Sequence, residues 1–157
     1  MAMYLKLGDE IKGEASDDAH KDFCDIHSLA VGVDQPVSAI GTGGRASGRS
    51  VGSPVSVSMT ADKAYPDIYH HCATGKHIVG DVIFHQVQDS ESKIVYEEIK
   101  FKECMISSCQ LNSSGSEKPY VSISFVYDEI EINHTPVKDD GSEGTKVTKK
   151  FNYKSNA

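Results

Sequence analysis

Hydrophobic and polar residues alternate along most of this chain, the pattern of strands with one buried face. Met3, Leu5 and Leu7 share a parity and predict a first strand. Phe23, Leu29, Val31 and Val33 also share one parity, predicting a second strand over about 22–35 that Pro36 ends. Val55, Val57 and Met59 alternate with Ser56, Ser58 and Thr60 in a third. Val82, Ile83 and Phe84 are apolar on both parities, which predicts a strand covered on both sides. From 94 to 111 one parity is mostly apolar (Ile99, Phe101, Met105, Cys109, Leu111) and the other mostly polar, predicting one very long strand bent near Glu103. Val121, Ile123, Phe125 and Tyr127 alternate next, but Ile130 and Ile132 fall on the opposite parity. Such a flip predicts a bulge at a barrel corner. Val147, Phe151 and Tyr153 predict the last strand.

Only one stretch, 61–77, breaks this rhythm. Tyr65, Ile68 or Tyr69, and Cys72 recur at three to four residues, predicting a short helix over about 64–74. Pro66 suits its first turn, and Gly75 supplies a left-handed stop. Ile68 and Cys72 are its expected packing residues, with His70 or His71 left outward. The polar segment 11–20 reads as a long surface connection, and 38–54 as a Gly- and Ser-rich loop. The expected fold is therefore mainly β: seven or eight strands in a closed or nearly closed antiparallel barrel, as one domain over 1–157.

Composition narrows the partners. A chain of 157 residues buries roughly 70% of its unfolded surface and needs no metal or disulfide to hold a core. The mean hydropathy of -0.37 suits a thin core with polar outer faces, or a subunit completed by its neighbours. Twenty-three acidic residues against 16 Lys plus Arg give a net charge of -7, which argues against nucleic acid. Lys146, Lys149, Lys150 and Lys154 make the tail locally basic, as a strand with a solvated face. No apolar run approaches the ~20 residues of a membrane span, and no signal-peptide pattern opens the chain. A soluble cytoplasmic protein is expected, exported by some other route if at all.

The candidate chemistry is sparse. Cys24, Cys72, Cys104 and Cys109 form no CxxC pair and read as small buried hydrophobes. His70, His71, Cys72 and His77 suggest a metal cluster, but neighbours on a helix point about 100° apart and His77 lies past the stop. Gly41, Gly43 and Ala46 match a degenerate dinucleotide fingerprint with no following helix. Asp17-Asp18 and Asp139-Asp140 sit in turns, and no Gly-x-Ser-x-Gly elbow exists. No catalytic residue, cofactor or metal is expected; a small β-barrel hydrolase using Cys72 or a serine is the remote alternative.

Three stretches together point to a family. Tyr4-Leu-Lys-Leu-Gly-Asp-Glu-Ile-Lys-Gly-Glu-Ala-Ser-Asp-Asp-Ala-His20 leads into Cys24-Asp25-Ile26. Asp62-Lys-Ala-Tyr-Pro-Asp67 and Cys72-Ala-Thr-Gly-Lys-His77 follow, then Glu97-Glu-Ile-Lys-Phe-Lys-Glu-Cys-Met-Ile-Ser-Ser108. In this order and spacing they resemble the Hcp family, the haemolysin-coregulated tube proteins of type VI secretion. The resemblance implies a β-barrel of two sheets with one helix on its side. It also implies homohexameric rings stacked into a tube within a contractile sheath, capped by a VgrG spike and expelled with small effector proteins inside. An effector-specific chaperone with the same ring fold is the alternative. The chain departs from many relatives in lacking tryptophan near Leu29-Ala-Val-Gly32, and no toxic extension is expected after Ala157.

Two sets of contact residues follow from that resemblance. Gly43, Gly44, Arg45 and Arg49, in the long loop of an acidic chain, are candidates for ring-to-ring stacking. Ser113 and Ser114 occupy the family's small-residue loop and are candidates to border the channel. Six chains at -7 each sum to -42, so stacked rings are expected to repel at low salt.

Overall fold

A computed structural model describes residues 1–37, 48–88 and 93–157. Its strands are β1 (Ala2–Leu7), β2 (Cys24–Ala30), β3 (Val33–Asp34), β4 (Val51–Gly52), β5 (Val55–Thr60), β6 (Val82–Val87), β7 (Val95–Lys102), β8 (Met105–Ser114), β9 (Glu117–Val126), β10 (Glu129–His134) and β11 (Val147–Asn152). One helix, α1 (Tyr65–Thr74), lies between β5 and β6. Nine strands form an antiparallel ladder in the order β11-β10-β7-β6-β1-β2-β5-β9-β8, while β3 and β4 pair separately.

The ladder folds over on itself because β1 and β2 share only two paired positions, Tyr4 with Asp25 and Leu5 with Cys24. One half is built on β1, β6, β7, β10 and β11, the other on β2, β5, β9 and β8. Leu5, Phe84, Ile99 and Phe101 from the first meet Val57, Met59, Val121, Ile123 and Phe125 from the second in one buried core. Phe101 and Phe125, both fully buried, touch edge to face with centroids 5.2 Å apart. Among the described residues the fold is thus an antiparallel two-sheet β-barrel with one α-helix, whose ladder ends at β8 and β11.

The helix forms where its signals predict. An Asp62 carboxylate oxygen accepts the Ala64 N–H at 2.9 Å, and Pro66 sits in the first turn. Gly75, at φ 68°, lets its own N–H reach the Cys72 carbonyl and the Lys76 N–H reach His71 at 3.1 Å, a Schellman stop. The buried face is Ala64, Ile68 and His71, with Cys72 half-buried; Tyr69 is 57% exposed and His70 is exposed. The helix packs on β8, with Gly75 beside the Met105 methyl. Among the described residues, no helix is long and apolar enough to cross a membrane.

Five expectations need correction. The seven or eight strands expected are eleven among the described residues, nine of them in one ladder. The second strand buries Cys24 and Ile26, and a register shift between Ile26 and Ser28 then turns Leu29 toward the core; β2 ends at Ala30, which leaves Val31 and Val33 exposed. The strand expected over 94–111 is two, β7 and β8, split at Glu103 with φ 56°, and they lie far apart in the ladder. Both strands face one core, but the buried parity changes at the corner, from Ile99 and Phe101 to Cys104 and Ile106, and Leu111 is left exposed. Likewise, the flip after Tyr127 is a full break between β9 and β10 rather than a bulge. The 11–20 connection is not wholly superficial: Ile11 and His20 are buried, and Gly13 lies so close to Phe23 that a Cβ would come 2.4 Å from its carbonyl oxygen.

Candidate functional site

Burial of Val55, Val57 and Met59 on β5, and of Val121, Ile123 and Phe125 on β9, forces the intervening serines to the opposite face. Strand register then aligns them. Ser28, Ser58, Ser122 and Gln110 are successive partners across β2, β5, β9 and β8. The adjacent row is Ala30, Ser56, Ser124 and Ser108. These eight residues line a shallow hollow of about 400 Å³ in which no lining side chain carries a charge. The Ser124 hydroxyl bonds those of Ser107 at 2.8 Å and Ser108 at 2.7 Å.

Such a face offers short hydroxyls that both donate and accept hydrogen bonds and hold little rotamer entropy to lose. A serine nucleophile needs a neighbouring base, and no residue lining the hollow is one. The arrangement fits adaptable contact with a polar surface. Ser113 and Ser114 stand exposed at the end of β8, just past this hollow, and Ser114 pairs with Glu117.

The other half presents a different surface. His85 on β6, Glu98 on β7, Asn133 on β10 and Thr148 on β11 are successive register partners. Their side chains join at 2.5 Å, 3.2 Å and 2.6 Å respectively. Lys100 and Lys150 flank Glu131 at 3.9 and 3.5 Å.

The remaining candidates disperse. Burial pushes the Cys24 and Cys109 thiols above their ordinary range and Cys104 up to about 12, the opposite of nucleophile activation. Cys72 shares a recess of about 160 Å³ with Tyr69, Ala73 and Cys109. Ile68 is fully buried. The His71 Nδ1–H donates to the Asp67 carbonyl at 2.8 Å, so this ring serves its own helix. Among the described residues, no group of three or more His, Cys, Asp or Glu is placed to hold a metal. Gly43, Gly44 and Arg45 lie outside the described residues. The Arg49 guanidinium donates to the main-chain carbonyls of Tyr153 and, at 3.0 Å, Lys154.

Comparison with known proteins sets this geometry in a family. The family described as "Type VI secretion system effector, Hcp" matches residues 4–134. The chain belongs to the Hcp family. Protein hcp1 of Pseudomonas aeruginosa is 27% identical over 156 residues, covering 98% of this chain and 96% of that protein. A solved structure of a type six secretion system protein superposes with a TM-score of 0.93 at 24% identity, over 99% of this chain and 98% of the other. Hcp1 from Salmonella typhimurium gives 0.79 at 20% identity, over 99% and 96%. The two-sheet barrel with its lateral helix is therefore the Hcp fold, and this chain is a protein of type VI secretion.

The serine hollow left a trace in the sequence. Ser56, Ser58, Ser122 and Ser124 each sit between buried apolar residues. What joins them to Ser28 and Ser108 is register, which alternation alone does not reveal.

Proposed function

We propose that this Hcp protein is a wall subunit of the type VI inner tube. Six copies form a ring, rings stack, and sheath contraction expels the tube with its VgrG spike from the cytoplasm. The observation that carries this reading is the family match over residues 4–134. The open ladder ends at β8 and β11 and the uncharged serine hollow agree with it. The serine face, with Ser113 and Ser114 at its margin, lines the channel and contacts small effector proteins. A scaffold role requires no catalytic group, cofactor or metal, and we assign none.

Ring stacking uses the 38–54 segment, with Gly43, Gly44, Arg45 and Arg49 as its contact residues. Arg49, which donates to the Lys154 carbonyl of its own chain, also fixes the end of that segment. Because each ring carries a net charge near -42 (six times -7), tube growth strengthens as salt screens that charge. Native mass spectrometry tests the ring. The expected species is six times 17.1 kDa; a protein that stays at 17.1 kDa at every concentration contradicts the reading.

A further inference from the structure

A buried histidine pair connects the 11–20 segment to the polar half of the barrel. His20, 4% exposed, stacks on Tyr4 with centroids 4.2 Å apart and meets the Phe23 ring edge-on at 4.9 Å. Its Nδ1 lies 2.6 Å from an Asp17 carboxylate oxygen, and its Nε2 lies 2.9 Å from His85 Nδ1. His85 Nε2 lies 2.5 Å from a Glu98 carboxylate oxygen. Four side chains from three segments thus form one chain: Asp17, His20, His85, Glu98.

Counting hydrogens fixes its state. Each of the three links needs one hydrogen, and a carboxylate has none to give. The two rings must therefore supply three N–H groups, whereas two neutral imidazoles supply two. The complete chain holds one proton more than its resting parts. Removing that proton leaves two lone pairs facing each other across one link. Adding another sets two N–H groups against each other between His20 and His85.

We propose that this chain is a one-proton latch, closing the 11–20 connection onto the sheet only within a limited pH window. Lys93 lies 3.1 Å from Asp17 and Lys100 3.8 Å from Glu98, so each carboxylate has one lysine and a share of the proton. Beyond them, Glu131 on β10 is held between Lys100 and Lys150. Asn133 donates to the second Glu98 oxygen, Asp18 follows Asp17 in the turn, and Tyr4 covers His20 from β1.

The signs of the two limits follow. The His20 hydrogen bond, with help from Lys93, holds Asp17 below the usual carboxylate range, so the acidic anchor survives into mild acid. Burial pushes His85 below its ordinary value, with Glu98 pulling the other way. In acid the unfolded chain then binds more protons than the native one, and stability falls as pH drops through the imidazole range. Losing the shared proton breaks one of the three links, so the contribution of that link is lost as pH rises through the pair's upper step.

Side-chain ¹⁵N–¹H spectra of the full chain, taken from about pH 4 to about pH 9, test this directly. The expected result is a coupled titration of His20 and His85 in two steps at least about one pH unit apart, with three ring N–H signals between them. Glu98→Gln should lower the upper step by about one unit, a tenfold loss of proton affinity. The Gly13 and Ala15 amides, bonded at 2.9 Å to the Asp22 and Phe23 carbonyls, should exchange faster outside the window. Independent single-step titration of the two rings in the unaltered protein overturns the latch, whether or not the variant folds. So does an upper step that Glu98→Gln leaves in place.

Discussion

The two halves of this barrel share one core but carry opposite outer surfaces. On β5, β9 and β8 the outward positions that line the hollow of about 400 Å³ are serines, short and uncharged, with Gln110 beside them. On β6, β7, β10 and β11 they are long and charged or amide-bearing, tied across four strands from His85 to Thr148. Serine hydroxyls need little ordering and lose little when a partner arrives. A buried amide such as Asn133, 4% exposed, is costly unless every bond is made. One face is thus free to meet changing partners, while the other is committed to holding its own strands.

Substitutions can break or sharpen that contrast. Phe101→Ala removes the ring that meets Phe125 between the halves, so it should damage both faces together. We expect a loss of about 3–5 kcal/mol in urea unfolding. A loss below about 1 kcal/mol would mean the halves do not depend on this joint. Asn133→Ala removes the amide bonds to one Glu98 oxygen and to the Thr148 hydroxyl, at an expected cost of about 1–3 kcal/mol by the same measurement. The paired change Ser56→Ala with Ser122→Ala should move stability by no more than about 0.5 kcal/mol. Its effect should appear instead as weaker retention of effector in the assembled ring. If the serine pair proved as costly to folding as Asn133, the division of labour between the faces would fail.

The sequence made some of this legible for clear reasons. β1, β5 and β9 each bury one parity and stay in step, so alternation identified them. The helix carried both its Pro66 start and its Gly75 stop. Errors arose where a backbone irregularity reset the hydrophobic rhythm without a marker. Glu103 turns the chain with φ 56° and resets the buried parity from Ile99 and Phe101 to Cys104 and Ile106, so the expected inward Leu111 is exposed. The β2 shift near Ile26 has no glycine or proline to announce it. The short β3–β4 pairing lies at the base of a stretch that composition reads as loop.

The two faces are harder to read still, because each is a product of register. Ser28 and Gln110 belong to one row only after three strand pairings have been fixed. His20 and His85 are 65 positions apart, and no local pattern relates them. Family resemblance located the channel candidates near Ser113 and Ser114, one strand end away from the hollow that the fold assembles.

The central claim is that the serine face is the inner wall of a ring. Electron cryomicroscopy of the assembled protein tests it most directly. The account predicts six subunits with Ser56, Ser58, Ser122 and Ser124 around the central opening. A ring in which those serines lie on the outer surface, or are buried between neighbouring subunits, would contradict it.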